Sequence, residues 1–456
     1  MSWVANEVAG CQLKDQRLKL RLERILERLS AKPTESIPTA CQGWGETQAT
    51  YPFLSNERVE AEEILEGHSQ ATITRIAAEP VVLLVQDTTF LEYIKDVVGK
   101  GLGTLRETSR EEHLLHPSVA FTPGRVNLGV LAHQFWQRPA EPVGHLRAQR
   151  PIEDKESYRW VLGYGVACEV QRRCPETLVV SVADREGDIH EWFLDAAQRA
   201  EEEQAAFVIR AKCNRRVEAQ PQDTYLWEAL GEAPVLGQTM VEVSEQARRT
   251  ARHACLTVRA GVVTFNRGRR RGGNLPPVRV QAVYALEEGP PLGEDPLEWM
   301  LLTNLTVDDF STAELLIRWY RARWEIEIYF RILKQGCQVE KLRLEAPERL
   351  ERCLALYMII AWRLHPLTQV ARARPKVPCT AVFEVQEWQT VYLLVTHKRP
   401  PQKPPPLRTM IRLLAQLGGF LARTGDGEPG VETVWRGYME MMRAVHTLAL
   451  AKAVGL

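Results

Sequence analysis

Tyr320, Arg323, Glu327 and Lys334 share the stretch YRARWEIEIYFRILK, at offsets 0, 3, 7 and 14. At about 100° per residue, one continuous helix would bring these side chains within roughly 60° of one another on a single face. A carboxylate flanked by two cations and a phenol suits a particular chemistry. The carboxylate holds a divalent metal ion, and the cations and phenol hold phosphate oxygens. Solvated Arg–Glu pairs on a surface helix are the plainer reading. Leu315, Trp319, Ile326, Phe330 and Leu333 form an apolar stripe beside the polar face, so the helix is expected to pack and partly shelter that face.

Two apolar runs end in aspartate: PVVLLVQD (80–87) in Asp87 and TLVVSVAD (177–184) in Asp184. Each reads as a buried strand. A lone strand-end Asp is more often a turn or cap residue; together with the helix above, both become candidate metal ligands. The string VADREGD offers Asp184, Glu186 and Asp188. Asp184 directly follows the strand, whereas Asp188 reads as a cap or orienting residue for the next helix. Three converging carboxylates raise one another's pKa, a strain that a divalent cation relieves. Hard oxygen ligands favour Mg²⁺ or Mn²⁺.

The spacing Y-x2-R-x3-E-x6-K resembles the signature of the insertion sequence four family of bacterial DDE transposases. The DRE-x-D string at 184–188, GWGETQATYPFLSNERV at 43–59, and the later LGGF and GDGEPG…WRG strings extend the likeness over residues 13 to 445. The resemblance implies an RNase H-like fold, an αβα sandwich whose first and fourth strands lie side by side. That topology would bring Asp87 and Asp184 together, with Glu327 arriving from a packed helix.

It further implies two Mg²⁺ or Mn²⁺ ions per active site, bridged by Asp87, with Asp184 completing one and Glu327 the other. Tyr320, Arg323 and Lys334 would grip phosphates of a DNA end. Trp299, in PLEWMLLT, would stack on a flipped-out nucleotide, although a core tryptophan at a strand edge is an equal reading. Arg210 and Lys212, just past the strand run FVI, are further candidate DNA contacts. The implied reaction is cut-and-paste transposition: water nicks one strand, the 3′-hydroxyl closes a hairpin, water reopens it, and the freed 3′-hydroxyl attacks target DNA. The implied partners are terminal inverted repeats, target DNA and a second copy of the chain, with no membrane and no small-molecule cofactor. An RNase H-like endonuclease that does not join ends, and a catalytically silent DNA-binding inhibitor, stay open as alternatives. A carboxylate-pair glycosidase leaves Arg323 and Lys334 unexplained.

These residues need elements to hold them. Residues 13–29 place Leu18, Leu22, Ile25, Leu26 and Leu29 on one helical face with basic residues over much of the remainder. Further helices are expected around 46–54 and 59–78, making residues 1–75 a helical DNA end-recognition domain. Residues 76–370 read as the catalytic domain, with strands at 80–87, in 116–137 about the Pro-Gly turn at 123–124, at 177–184 and at 205–212, and a helix at 154–173. QTMVEVSE, ACLTVRAGVVTFN, VRVQAVYALEE and LEWMLLTNL suggest a β-rich insertion at about 213–305. Residues 371–456 read as a mostly helical dimerisation region, broken by KRPPQKPPPL at 398–407.

Composition sets the outer limits. At 456 residues and 45% apolar, the chain can bury a large core across several domains. Zero formal net charge excludes a uniformly basic coat, but residues 205–275 hold 12 Lys or Arg against 6 Asp or Glu. Within them Arg269, Arg270 and Arg271 read as a flexible basic loop for phosphate contact, or as a solvated hairpin tip. Nine scattered cysteines without a CxxC pair fit reduced thiols rather than a zinc site. No secretory signal or spanning apolar run is evident, so a cytoplasmic, nucleoid-associated bacterial protein is expected.

Overall fold

The computed structural model describes residues 2–41, 43–97, 107–137, 151–218, 222–243, 250–266, 269–270, 273–344 and 346–453. Five helices open the chain: α1 (Trp3–Val8), α2 (Gln16–Ala31), α3 (Ile37–Cys41), α4 (Trp44–Leu54) and α5 (Ala61–Ile76). In α2 the Asp15 carboxylate accepts the Arg17 N–H at 2.8 Å, and the apolar stripe buries Leu22, Ile25, Leu26 and Leu29. Leu18, expected on the same face, stays half-exposed near the helix start.

Then come β1 (Val81–Gln86), β2 (Thr89–Val97), β3 (Glu107–Phe121), β4 (Asn127–Gln137), α6 (Tyr158–Arg173), β5 (Leu178–Ala183), α7 (His190–Gln198) and β6 (Ala206–Arg210). A strand-rich stretch follows: β7 (Arg216–Val217), β8 (Thr224–Tyr225), α8 (Leu226–Gly231), β9 (Val235–Val243), β10 (Arg252–Phe265), β11 (Arg269–Arg270), β12 (Gly273–Asn274), β13 (Val278–Glu287) and β14 (Glu298–Thr303). The remainder is helical: α9 (Phe310–Ala322), α10 (Glu325–Arg331), α11 (Pro347–Leu364), α12 (Pro366–Ala373), α13 (Val385–Thr396), α14 (Leu407–Leu417) and α15 (Val431–Ala453).

The chain divides into two compact units: residues 1–75, 88–138 and 325–456 form the first, and 76–87 with 139–324 the second. In the second, a mixed sheet runs β1-β5-β6-β14-β13-β10, with β9 and β7 also on β10, and β8 on β7. β1, β5 and β6 are parallel, and β14, β13 and β10 continue antiparallel. β1, β5 and β14 are buried along nearly their whole length, as central strands covered on both faces must be. β9 alternates buried and exposed over its second half, the pattern of a one-sided strand. Helices α6 and α9 pack against this sheet, so the unit is a mixed α/β structure.

In the first unit β2, β3 and β4 form an antiparallel meander. β2 had no separate expectation: only two residues part it from β1, too few to read as a loop. α11 is buried on nearly every side, from Cys353 to Ala361, which explains its long apolar run. Among the described residues no helix is long and apolar enough to cross a membrane.

The segment from Tyr320 to Lys334, expected as one helix, is not continuous. α9 ends at Ala322, Arg323 and Trp324 form a turn, and α10 begins at Glu325. The Arg323 N–H bonds back to the Tyr320 carbonyl three residues earlier, tightening the last turn. After Arg331 the backbone widens into a π-helical turn over Ile332–Gly336. The one continuous helix expected here is therefore interrupted at residues 323–324, where the chain also passes from the second unit to the first.

Candidate active site

The register of β1 on β5 pairs Val81 with Leu178 and Val85 with Val182. Carried two residues further, it sets Asp87 opposite Asp184 at the carboxyl ends of adjacent parallel strands, where strand spacing is about 4.8 Å. Both are partly buried. The Asp184 carboxylate accepts the Glu186 N–H at 2.8 Å and so caps the short turn Arg185–Gly187. One residue before Asp87, Gln86 donates to the Ser181 hydroxyl at 2.9 Å. Its side chain passes over Gly163 of α6, where a Cβ would overlap the Gln86 amide. The missing side chain at Gly163 leaves the room that the Gln86 amide occupies.

Arg323 turns toward these strand ends. Its Nη1 donates to Asp87 Oδ2 at 2.7 Å, and its guanidinium lies 5.2 Å from the Trp324 ring centroid. Arg210, at the end of β6, donates to the Glu298 carbonyl at 2.9 Å. Burial pulls the Arg210 guanidinium below the ordinary arginine value, with Arg185 and Arg323 adding repulsion and Tyr320 countering it. Arg185, Arg210 and Arg323 thus crowd one neighbourhood beside Asp87. Arg185 escaped the sequence reading, although it adjoins Asp184; only the fold reveals that it faces other cations.

Tyr320 is buried, and so is Trp299 in β14, between β13 and β6. Their rings meet edge to face with centroids 5.9 Å apart. Trp299 has the environment of a core tryptophan in this structure.

Asp188 does not cap α7; Ile189 holds that position. Its buried carboxylate instead accepts the N–H groups of Lys212 at 2.7 Å and Cys213 at 3.0 Å, and pairs with Arg215. A sequence motif could not show this, because its partners lie more than twenty residues away. The clamp fixes the backbone carrying Lys212, whose side chain is exposed. Arg269 and Arg270 pair with Asn274 and Gly273 in a small hairpin; Arg271 and the side chains of both lie outside the described residues.

Glu327 and Lys334 belong to the first unit. Glu327 sits half-buried in α10. Lys334 lies in the π-helical turn, with Nζ 3.9 Å from Glu340 Oε1. Two carboxylates that directly follow neighbouring parallel strands, one of them already engaged by a cation, are a donor set suited to a hard divalent ion.

Three family models match the chain: Transposase DNA-binding over residues 1–59, Transposase DDE domain over 180–363, and Transposase Tn5 dimerisation domain over 359–454. The DDE match contains Asp184 and Glu327, while Asp87 precedes it. A DDE domain carries dependence on a divalent metal and an RNase H-like fold, which the parallel β1–β5 pair at the heart of the mixed sheet accords with. DNA-binding, catalytic and dimerisation matches follow one another along a single polypeptide, and on that ground the chain belongs to the Tn5-like DDE transposases, consistent with the insertion sequence four family, and is a DNA transposase that acts on DNA as a homodimer.

Proposed function

We propose that this transposase moves its element by cut-and-paste, cleaving at the terminal inverted repeats through a hairpin and joining the freed ends to target DNA. The observation supporting the reading is the parallel β1–β5 pair, each strand of which is followed directly by an aspartate, in a chain that matches the DDE transposase model. Asp87, Asp184 and Glu327 are the proposed ligands of two Mg²⁺ or Mn²⁺ ions. When bound, such a pair polarises the scissile phosphate and stabilises the charge on the entering and leaving oxygens.

The protein's own groups orient the DNA. Arg323, Arg210 and Tyr320 would receive the phosphates flanking the scissile bond, the guanidiniums as planar donors. Lys334 adds a point charge. Lys212, on its clamped backbone, and Arg269, Arg270 and Arg271 would follow the duplex further out. Trp299 would stack on a flipped base once β14 and Tyr320 yield its face. Residues 1–75 recognise the end, 76–370 catalyse with a β-rich insertion at 213–305, and 371–456 dimerise. The enzyme would work on nucleoid DNA in the bacterial cytoplasm.

The test is cleavage of a duplex carrying the element's own end, with Mg²⁺, by wild type and Glu327→Ala, resolved on a denaturing gel. Nicked and hairpin species in wild type only are the expected result. Nicks without hairpin or joined product would indicate an endonuclease, and end binding without any cleavage an inhibitor.

A further inference from the structure

Within the first unit, Glu62 of α5, His133 of β4 and Glu351 of α11 come together, with one donor atom of each lying within 4.8 Å of the others. The His133 side chain is 1% exposed, yet neither ring nitrogen has a hydrogen-bond partner among the described residues. A buried imidazole left this way forfeits the interactions it would have in water. Its Nε2 stands 3.4 Å from Glu351 Oε1. A tetrahedral ion with bonds of about 2.1 Å separates its ligands by about 3.4 Å. Beside the imidazole lies a cavity of about 280 Å³, lined in part by Glu62, Glu63, Glu66, Ser69 and His133. Glu62 is exposed and gives an ion a path from solvent.

We propose that Glu62, His133 and Glu351 form a site for one divalent transition-metal ion, best suited to zinc, that clips α5, β4 and α11 together. One imidazole with two carboxylates and an open side toward the cavity favours zinc over magnesium, which prefers oxygen alone. The site shares no residue with the proposed catalytic ligands and does not depend on that assignment.

The experiment strips the full-length protein with chelator and titrates it with Zn²⁺ against a chromophoric competitor, alongside His133→Ala, Glu351→Gln and Glu327→Gln. The expected result is one tight equivalent in wild type and Glu327→Gln. That equivalent should weaken at least about tenfold in His133→Ala and Glu351→Gln. Zn²⁺ should also raise the unfolding midpoint of wild type but not of Glu351→Gln, whose half-exposed side chain makes loss of folding a poor explanation. Absence of a tight equivalent, or one lost in Glu327→Gln and kept in the other two, would overturn the proposal. In that case the cluster holds no metal, and His133 is only packed against Glu351.

Discussion

Arg323 donates from Nη1 to Asp87 Oδ2 across 2.7 Å, joining the turn after α9 to the end of β1. The two side chains are 8% and 18% exposed, so this ion pair offsets part of what each loses on leaving water. Removing one leaves a poorly solvated charge, at a cost of about 2–4 kcal/mol. Arg323→Ala should therefore lower stability to urea by that amount, and Asp87→Asn should recover part of the loss in the double variant. Strict additivity of the two single changes would show that the pair contributes nothing.

The same pair predicts a split between metal binding and catalysis. Without Arg323, the Asp87 carboxylate loses the guanidinium bonded to its Oδ2. Mn²⁺ affinity should rise about threefold or more in Arg323→Ala, while end cleavage falls. Paramagnetic resonance titration with Mn²⁺, run beside the cleavage assay, measures both; equal losses in the two would contradict the split.

For the proposed ligands, Asp184→Asn and Glu327→Gln should keep end binding within about twofold while cleavage drops on the order of 10³-fold. Gel shift and cleavage on the same duplex separate the two effects. Parallel loss of binding would instead assign these residues to DNA affinity.

Gly163 lets the Gln86 amide reach Ser181. A methyl group there must displace that amide and, with it, the end of β1. Gly163→Ala should cost about 1–3 kcal/mol through overpacking and slow cleavage more than end binding. Unchanged stability would show that α6 can shift away without consequence.

A buried polar group in the first unit sets a pH dependence. The Val130 N–H donates to His68 Nε2 at 3.0 Å, so that nitrogen carries no proton, and Nδ1 bonds to Glu7. Burial pulls His68 below its ordinary 6.5, outweighing the pull of Glu7. Burial pushes the Glu7 carboxyl up, but His68 and Arg75 together hold it below its ordinary 4.5. An unfolded histidine takes its proton below about pH 6.5 while the folded one resists, so stability falls as pH drops below that value. Glu7 contributes stability above 4.5 that is lost as pH falls further through its lowered value. Both signs agree: acid destabilises. Unfolding midpoints should fall between pH 7.5 and 5.5, with a shallower fall in His68→Gln; an equal slope in the variant would clear His68.

In the region matching the dimerisation model, α14 and α15 touch backbone to backbone. A Cβ at Gly437 would overlap the Leu414 carbonyl oxygen, and one at Gly418 that of Thr433. Gly437→Ala should force the helices apart and weaken the homodimer on DNA. Sedimentation of the protein–DNA complex reads this directly, and an undisturbed dimer would place the contact surface elsewhere.

Local sequence determined many of the elements and the chemistry on offer. The runs VVLLVQ and LVVSVA are apolar throughout because their strands are covered on both faces, and each hands over to an aspartate where its strand ends. The basic and apolar faces of α2 were likewise legible in its 3.6-residue period. Tertiary structure alone decided what these groups meet. The parallel register pairs Val85 with Val182, two residues before each aspartate, and long-range packing sends Arg323 to Asp87 across 236 positions of chain. The break at Arg323 and Trp324, the burial of Trp299 against Tyr320 and the grip of Asp188 on residues 212–215 have the same origin. Periodicity reports which face of an element is apolar; it holds no information about which distant side chain will be brought against a charge, because that contact exists only after the chain has closed.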